Sequence, residues 1–260
     1  MIYRHGHLSV KQVPCLHDNY GYLLRDEATG TVAAIDTPEV GPLVAALDEL
    51  GWGLDYILNT HWHPDHVGGN ETLKARYGAT IIGPEGEADK IPGADRLVSE
   101  GDIVTLGERK ARVVETPGHT LGHIVYLFGD EDVAFVGDTL FSLGCGRLFE
   151  GTAAQMWASL QKIRNWAPQT TIYCAHEYTA ANYQFAASID PNNAALQARG
   201  ERIAELRSDG QPTVPMILAD ECRENPFLRA DDAVLAANLG VADADPASVF
   251  AEIRGRKDRF

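Results

Sequence analysis

The stretch Thr60-His61-Trp62-His63-Pro64-Asp65-His66 decides how the rest of the chain is read. It places three histidines and an aspartate close together, directly after the apolar run 54–59 and just before Gly68-Gly69. Imidazole nitrogen and carboxylate oxygen are donors that zinc and similar divalent ions accept. In an extended segment side chains repeat every two residues, so His61 and His63 point to one side. A turn at Pro64 then swings Asp65 and His66 towards a second position, and two adjacent metal sites become geometrically easy. A lone His-x-His is a weak signal. His-x-His-x-Asp-His after a strand, in a chain with only nine histidines, is a strong one.

Three more donors fit the same site. His119 lies in Thr116-Pro117-Gly118-His119-Thr120, Asp138 in Gly137-Asp138-Thr139, and His176 in Ala175-His176-Glu177. The runs before them, 112–115, 133–136 and 171–174, read as short apolar strands, so each donor can project at one rim of a sheet. Of the remaining histidines, His5 and His7 read as solvated residues near the start. His123 is either a support for the site or a satisfied core histidine. Cys145, between Gly144 and Gly146, reads as a small residue in a tight turn rather than a nucleophile.

Around these donors the first two thirds of the chain alternates short β-branched runs with turns and a few helices. Strands are expected at 20–25, 31–35, 54–59, 81–83, 103–106, 112–115, 124–128, 133–136 and 171–174. Pro42 suits the first turn of a helix whose Leu43, Leu47 and Leu50 share a face. Thr152 and Gln155 form a capping-box pattern ahead of Met156, Leu160 and Ile163. After His176 the texture becomes Glu-, Ala-, Arg- and Leu-rich, with helices at 194–206 and 231–239 and breaks at Pro212, Pro215 and Pro226. The strands are too many and too short for a simple βαβ series, and a two-sheet layer with outer helices fits them better. The expected organisation is an α/β domain over 1–175 followed by a smaller helical domain over 176–260.

Composition narrows the partners. With 22 Lys+Arg against 37 Asp+Glu the formal charge is −15, which disfavours nucleic acid and anionic lipid. No apolar run approaches the roughly 18 residues of a membrane span. The opening Met1–His7 lacks the apolar core of a signal peptide, and the four cysteines form no CxxC pair, so a cytoplasmic protein without a disulfide framework is expected.

With the donors in place, the chain resembles the metallo-β-lactamase superfamily, through His61-Trp62-His63-Pro64-Asp65-His66 followed in order by His119, Asp138 and His176. Within it the chain is similar to the glyoxalase II family of glutathione thioester hydrolases. That closer resemblance rests on Asp18-Asn19-Tyr20, on the run from Gly144 to Thr152, on His176-Glu177-Tyr178, on Asn225-Pro226-Phe227 and on the final Arg254-Gly255-Arg256-Lys257-Asp258. These motifs span nearly the whole chain. The resemblance implies an αββα sandwich followed by a smaller α-helical C-terminal domain that binds substrate. It implies His61, His63 and His119 on a first metal, Asp65, His66 and His176 on a second, and Asp138 bridging. It also implies substrate contacts from Arg147, from His176, from Tyr178 and from the pair Arg254 and Lys257. At position 149, where the family commonly has Tyr, this chain has Phe149, which removes a hydroxyl from the substrate site.

The implied reaction is hydrolysis of S-(2-hydroxyacyl)glutathione, such as S-D-lactoylglutathione, to glutathione and D-lactate, the second step of methylglyoxal detoxification. Two divalent ions about 3.5–4 Å apart activate a bridging hydroxide as the nucleophile, with Asp65 and Asp138 orienting it. Zinc is the default pair, with iron or manganese as alternatives. The basic run at the end, Arg254, Arg256, Lys257 and Arg259, reads either as a solvated helix end or as a face presenting Arg254 and Lys257 to the glutathione carboxylates. A monomer is expected. The competing reading is a glutathione persulfide dioxygenase of the same superfamily with a single iron, against which the long segment after His176 argues. A β-lactamase, a nuclease and a metal-binding module without turnover fit less well.

Overall fold

In this computed structural model, which describes all 260 residues, packing gathers the chain into two units. The first comprises residues 1–115 and 121–137; the second comprises 116–120 and 138–260. In the second unit helix 153–164 buries Met156, Trp157, Leu160 and Ile163, and its Trp157 ring meets Phe250 of the last helix at 6.3 Å. No helix is long and apolar enough to cross a membrane.

In the first unit a seven-stranded sheet runs in chain order: β1 (Ile2–His5), β2 (Leu8–Cys15), β3 (Asn19–Asp26), β4 (Val32–Ile35), β5 (Tyr56–Leu58), β6 (Thr80–Pro84) and β7 (Arg96–Val98). The first four are antiparallel, and β4 to β7 are parallel. Parallel strands require crossovers, and α1 (Val40–Leu50) supplies the one from β4 to β5. Its Leu43, Ala46 and Leu47 enter a core with Leu23, Ala34, Ile57 and Ile81. Leu50, expected on that face, is only half-buried, and Gly51 in the left-handed region ends the helix. The loop after β5 carries α2 (Pro64–Val67), opened by Pro64 at its first position, and α3 (Asn70–Tyr77) leads into β6.

The same unit holds an antiparallel meander, β8 (Ile103–Leu106), β9 (Arg109–Glu115), β10 (Ile124–Phe128) and β11 (Val133–Gly137). Tyr22 of β3 sets its ring edge against Phe135 of β11 at 5.4 Å, and the Tyr126 hydroxyl of β10 donates to Asn59 O. The two-layer β arrangement expected from the sequence is thus present.

The second unit contains a hairpin, β12 (Leu140–Phe141) and β13 (Gly144–Cys145), then α4 (Ala153–Arg164) and β14 (Thr171–Cys174). There follow α5 (Thr179–Ile189), α6 (Ala194–Ser208), β15 (Met216–Ile217), α7 (Leu218–Glu224), α8 (Ala233–Asn238) and α9 (Pro246–Arg259). Strand β15 pairs antiparallel with β14. The capping box read from the sequence is formed: Gln155 N donates to Thr152 Oγ1 and Thr152 N to Gln155 Oε1. Helix α9 starts from Asp245, whose side chain caps Ala247 N and Ser248 N, and it buries Val249, Phe250, Ile253 and Arg254. The β1–β2 hairpin and α5 were not expected as such. Lys11, Gln12 and Pro14 blur the apolar alternation of β2, and α5 has only a weak apolar stripe.

Candidate metal centre

The first unit contributes the contiguous donors. Strand β5 ends at Leu58, and the irregular residues 59–63 lead into α2, with His61 Nε2 and His63 Nδ1 3.0 Å apart. Two nitrogens on one tetrahedral zinc at 2.0–2.1 Å would be roughly 3.3 Å apart, so this spacing suits a shared ion. His66, on α2, is fully buried, and its Nε2 lies 3.6 Å from Asp65 Oδ2.

Hydrogen bonding fixes how these rings present themselves. Asp36, buried at the end of β4, is an acceptor on both oxygens. Thr60 N donates to its Oδ1 (2.8 Å), and both Thr60 Oγ1 (2.8 Å) and His66 Nδ1 (2.7 Å) donate to its Oδ2. The Thr60 hydroxyl hydrogen is therefore used on Asp36, and its oxygen accepts from His61 Nδ1 at 3.1 Å. Both His61 and His66 then carry their proton on Nδ1 and turn an Nε2 lone pair outward, which is how an outer carboxylate prepares a metal ligand. Asp36 itself has a left-handed φ of 53°, a conformation an aspartate tolerates through such local bonds. Asn19 Nδ2 donates to Asp65 Oδ2 (3.0 Å) and holds that carboxylate. His123 is fully buried and its ring stacks on His61 at 4.8 Å.

The second unit contributes donors from separate strand ends. Asp138 follows β11 and turns one oxygen to each of two histidines: Oδ2 lies 3.3 Å from His119 Nε2, and Oδ1 lies 3.4 Å from His176 Nε2. A carboxylate facing two imidazoles on opposite oxygens suits a bridge. His119 Nδ1 donates to Arg147 O (2.8 Å), since a carbonyl can only accept, so its Nε2 too is left as a lone-pair donor. Gly146 is required beside it: a Cβ there would come within 2.0 Å of Asp138 O and 3.0 Å of His119 Nδ1.

Each unit thus supplies sequence-expected donors of its own: His61, His63, Asp65 and His66 in the first, and His119, Asp138 and His176 in the second. Five imidazoles with two carboxylates make a donor set suited to a pair of divalent ions.

Beside the donors of the second unit stand the side chains expected to meet substrate. Phe149, 63% exposed, sets its ring edge to His119 at 5.2 Å. Tyr178, 37% exposed, lies parallel on His176 at 4.7 Å. Arg147 is exposed. Lys257 is half-buried, with Nζ donating to Ala181 O (3.2 Å) and lying over the rings of Phe185 and Phe260. Burial holds its ammonium below the usual lysine range, reinforced by the charges of Arg254 and Arg147. Arg254, the other member of the expected pair of cations, is the more enclosed of the two. It is 5% exposed, with its guanidinium bonded to Cys145 O and Asp258. Cys145 is buried beside it, and burial pushes its thiol up to about 11, consistent with a packing residue rather than a nucleophile.

Asp36, Asn19 and Thr60 were not singled out as functional from the sequence. The signal was available in one case only, Asp18-Asn19-Tyr20, and it did not indicate the bond to Asp65.

Residues 26–176 match the model of the metallo-β-lactamase superfamily, and residues 177–260 match that of the hydroxyacylglutathione hydrolase C-terminus. The hydroxyacylglutathione hydrolase of Rhodospirillum rubrum is 54% identical over 253 residues, covering 97% of this chain and 99% of that protein. That of Hyphomonas neptunium is 51% identical, covering 97% and 98%. Among solved structures, the BLEG-1 B3 metallo-β-lactamase aligns with a TM-score of 0.64 at 21% identity over 84% of this chain and 99% of that one, a likeness of fold. ETHE1 from Myxococcus xanthus aligns at 0.58 and 28% identity, over 89% and 99%. The fold is the α/β sandwich of that superfamily with a helical C-terminal domain, and the chain belongs to the hydroxyacylglutathione hydrolase family.

Proposed function

We propose that the protein hydrolyses S-(2-hydroxyacyl)glutathione thioesters, S-D-lactoylglutathione foremost, to glutathione and the 2-hydroxy acid, the second step of methylglyoxal detoxification. The observation that carries this reading is the match to hydroxyacylglutathione hydrolases along 97% of the chain. Relatives at this identity favour it over a single-iron persulfide dioxygenase, and so does the match of 177–260 to the hydrolase C-terminus.

In this reading His61, His63 and His119 hold one ion, Asp65, His66 and His176 hold the other, and Asp138 serves both. Two divalent ions there, zinc in our proposal rather than iron or manganese, would supply Lewis acidity and a water of lowered pKa. The chain's own groups do the rest. Asp65, steadied by Asn19, and Asp138 orient the attacking water, and Asp65 takes its proton. A thiol of pKa about 8.5 leaves readily as thiolate, so no dedicated acid is needed. Arg147, Arg254 and Lys257 receive the glutathione carboxylates, while Tyr178, Phe149 and His176 line the thioester. Residues 1–175 act as the catalytic domain and 176–260 as the substrate-binding domain. The proposed setting is the cytoplasm and the proposed state a monomer without nucleic-acid partners, in keeping with a charge of −15.

The test is loss of S-D-lactoylglutathione, followed by thioester absorbance, on protein whose metals have been quantified. Rapid hydrolysis with zinc bound is the expected result. Metal-loaded protein inert towards every glutathione thioester would refute the reading.

A further inference from the structure

The turn between β2 and β3 is short and held on both sides. Cys15 and Asn19 are paired across the hairpin, so only Leu16, His17 and Asp18 form its tip. Below the tip, Cys15 is buried in the same core as Leu43 and Val67. On one side Asn19 Nδ2 donates to Asp65 Oδ2 at 3.0 Å and to Asp65 O at 3.4 Å. On the other, Leu16 N donates to Glu39 Oε2 at 2.8 Å. Glu39 lies three residues after Asp36, which receives His66 Nδ1, and Thr37 N between them donates to His66 O. Both ends of the tip are thus tied to α2 and its donors, one directly and one through the segment 36–39.

Leu16 is out of keeping with its position. Its φ of 49° lies in the left-handed region, which suits glycine or asparagine and is costly for a bulky apolar residue. Burial ordinarily offsets such a cost, yet Leu16 is 56% exposed. Backbone strain of this kind concentrates at ligand clamps, where the surroundings hold the residue in place. One peptide step is about 3.8 Å, and paired antiparallel Cα atoms stand about 5.5 Å apart or less, so Leu16 Cα lies within roughly 9 Å of Asn19 Cα. Asn19 in turn grips Asp65. A substituent of a few carbons, next to a carbonyl reacting beside Asp65, can bridge that gap.

We propose that Leu16 is a specificity-determining residue: it forms an apolar wall of the acyl subsite beside Asp65 and favours thioesters whose 2-hydroxyacyl group carries an apolar substituent. The proposal rests on the reading of the protein as a 2-hydroxyacylglutathione hydrolase. Because the tip is pinned at Leu16 N and at Asn19, the wall stands in place before substrate arrives, and binding carries little ordering cost. Selection then follows the apolar area covered. A glycoloyl group, with only hydrogen on its second carbon, gains nothing from the leucine. A lactoyl group covers a methyl, and a mandeloyl group covers a phenyl ring.

The experiment uses Leu16→Asn and Leu16→Gly, two residues at home at a positive φ, so that the apolar side chain goes while the turn is kept. On zinc-loaded protein, kcat/KM is measured with the S-glycoloyl, S-D-lactoyl and S-D-mandeloyl thioesters of glutathione. Losing an apolar contact in a pocket costs about tenfold or more in discrimination, and a single open wall belongs at the low end. The mandeloyl-to-glycoloyl ratio of kcat/KM should therefore fall about tenfold in each variant, and the lactoyl-to-glycoloyl ratio about threefold. A mandeloyl-to-glycoloyl ratio within about twofold of wild type in either folded variant overturns the proposal, whether the three thioesters are hydrolysed as before or all slowed alike. A second measurement needs no variant. The wild type should hydrolyse the lactoyl thioester with a higher kcat/KM than the glycoloyl one, and the reverse order overturns the proposal even if both variants fail to fold. Zinc-loaded wild type inert towards all three would instead sink the hydrolase reading, and the role of Leu16 with it.

Discussion

The loop after β5 and the strand ends that carry His119, Asp138 and His176 reach similar chemistry by different means. In the loop, four donors stand in one short run, and their orientation comes from near neighbours: Thr60 at the next position and Asp36 at the end of the adjacent strand. At the strand ends each donor arrives alone. His119 is oriented by the backbone carbonyl of Arg147, and the nearby residues 143–145 are bonded by Glu221, Asn225 and Arg254 from far along the chain. A compact motif can be supported locally, whereas scattered donors need a scaffold, and here the C-terminal helices supply it.

The comparison can be broken most severely at Asp138, which faces both His119 and His176. Asp138→Ala should lower zinc content and thioester hydrolysis together, by more than the roughly 100-fold upper range for an outer partner. Full activity with two ions bound would remove Asp138 from the centre. Next comes the support of the loop. Asp36→Ala strips partners from Thr60 N, Thr60 Oγ1 and His66 Nδ1 at once. Zinc affinity should drop about 10–100-fold, and the melting temperature should fall as well, because buried donors are left unsatisfied. An unchanged zinc titration would show that the loop does not need its carboxylate.

How much of this was legible in the sequence follows the same divide. His61, His63, Asp65 and His66 announced themselves by spacing, and His119, Asp138 and His176 by their places after apolar strands. The helical second part was legible from its texture, and the cap of α4 from Thr152 and Gln155. The buried turn of Arg254 was not. A basic residue in a run of four basic residues looks solvated, and only the tertiary path of α9 past Cys145 reveals where its guanidinium goes. Asp36 and Asn19 stayed hidden for a related reason, since a single polar residue at a strand end has no periodic signature.

Smaller effects are expected on the substrate side. Lys257→Ala should raise KM about tenfold with turnover nearly intact. That is the low end of the range for a charged hydrogen bond, as fits a half-exposed cation. An unchanged KM would make the basic run a solvated helix end. The same residue sets an alkaline limit. Its ammonium sits below the usual lysine range, so its charge, and the binding it provides, is lost at a lower pH than for an ordinary lysine. KM should therefore begin to rise with pH below that range, and Lys257→Arg should push the onset upward. A KM profile identical in the two proteins would separate Lys257 from substrate. The smallest change is expected for Phe149→Tyr, which returns a hydroxyl beside His119. One neutral hydrogen bond of about 0.5–1.5 kcal/mol would lower KM roughly twofold to tenfold. A KM that rises would assign Phe149 a purely apolar role.

The most direct measurement of the central claim is a stepwise zinc titration of metal-free protein with S-D-lactoylglutathione hydrolysis followed at each step. Activity should climb with bound metal, level off at two ions per chain, and vanish again with chelator. Full hydrolysis by the metal-free protein, or none with two ions bound, would contradict it.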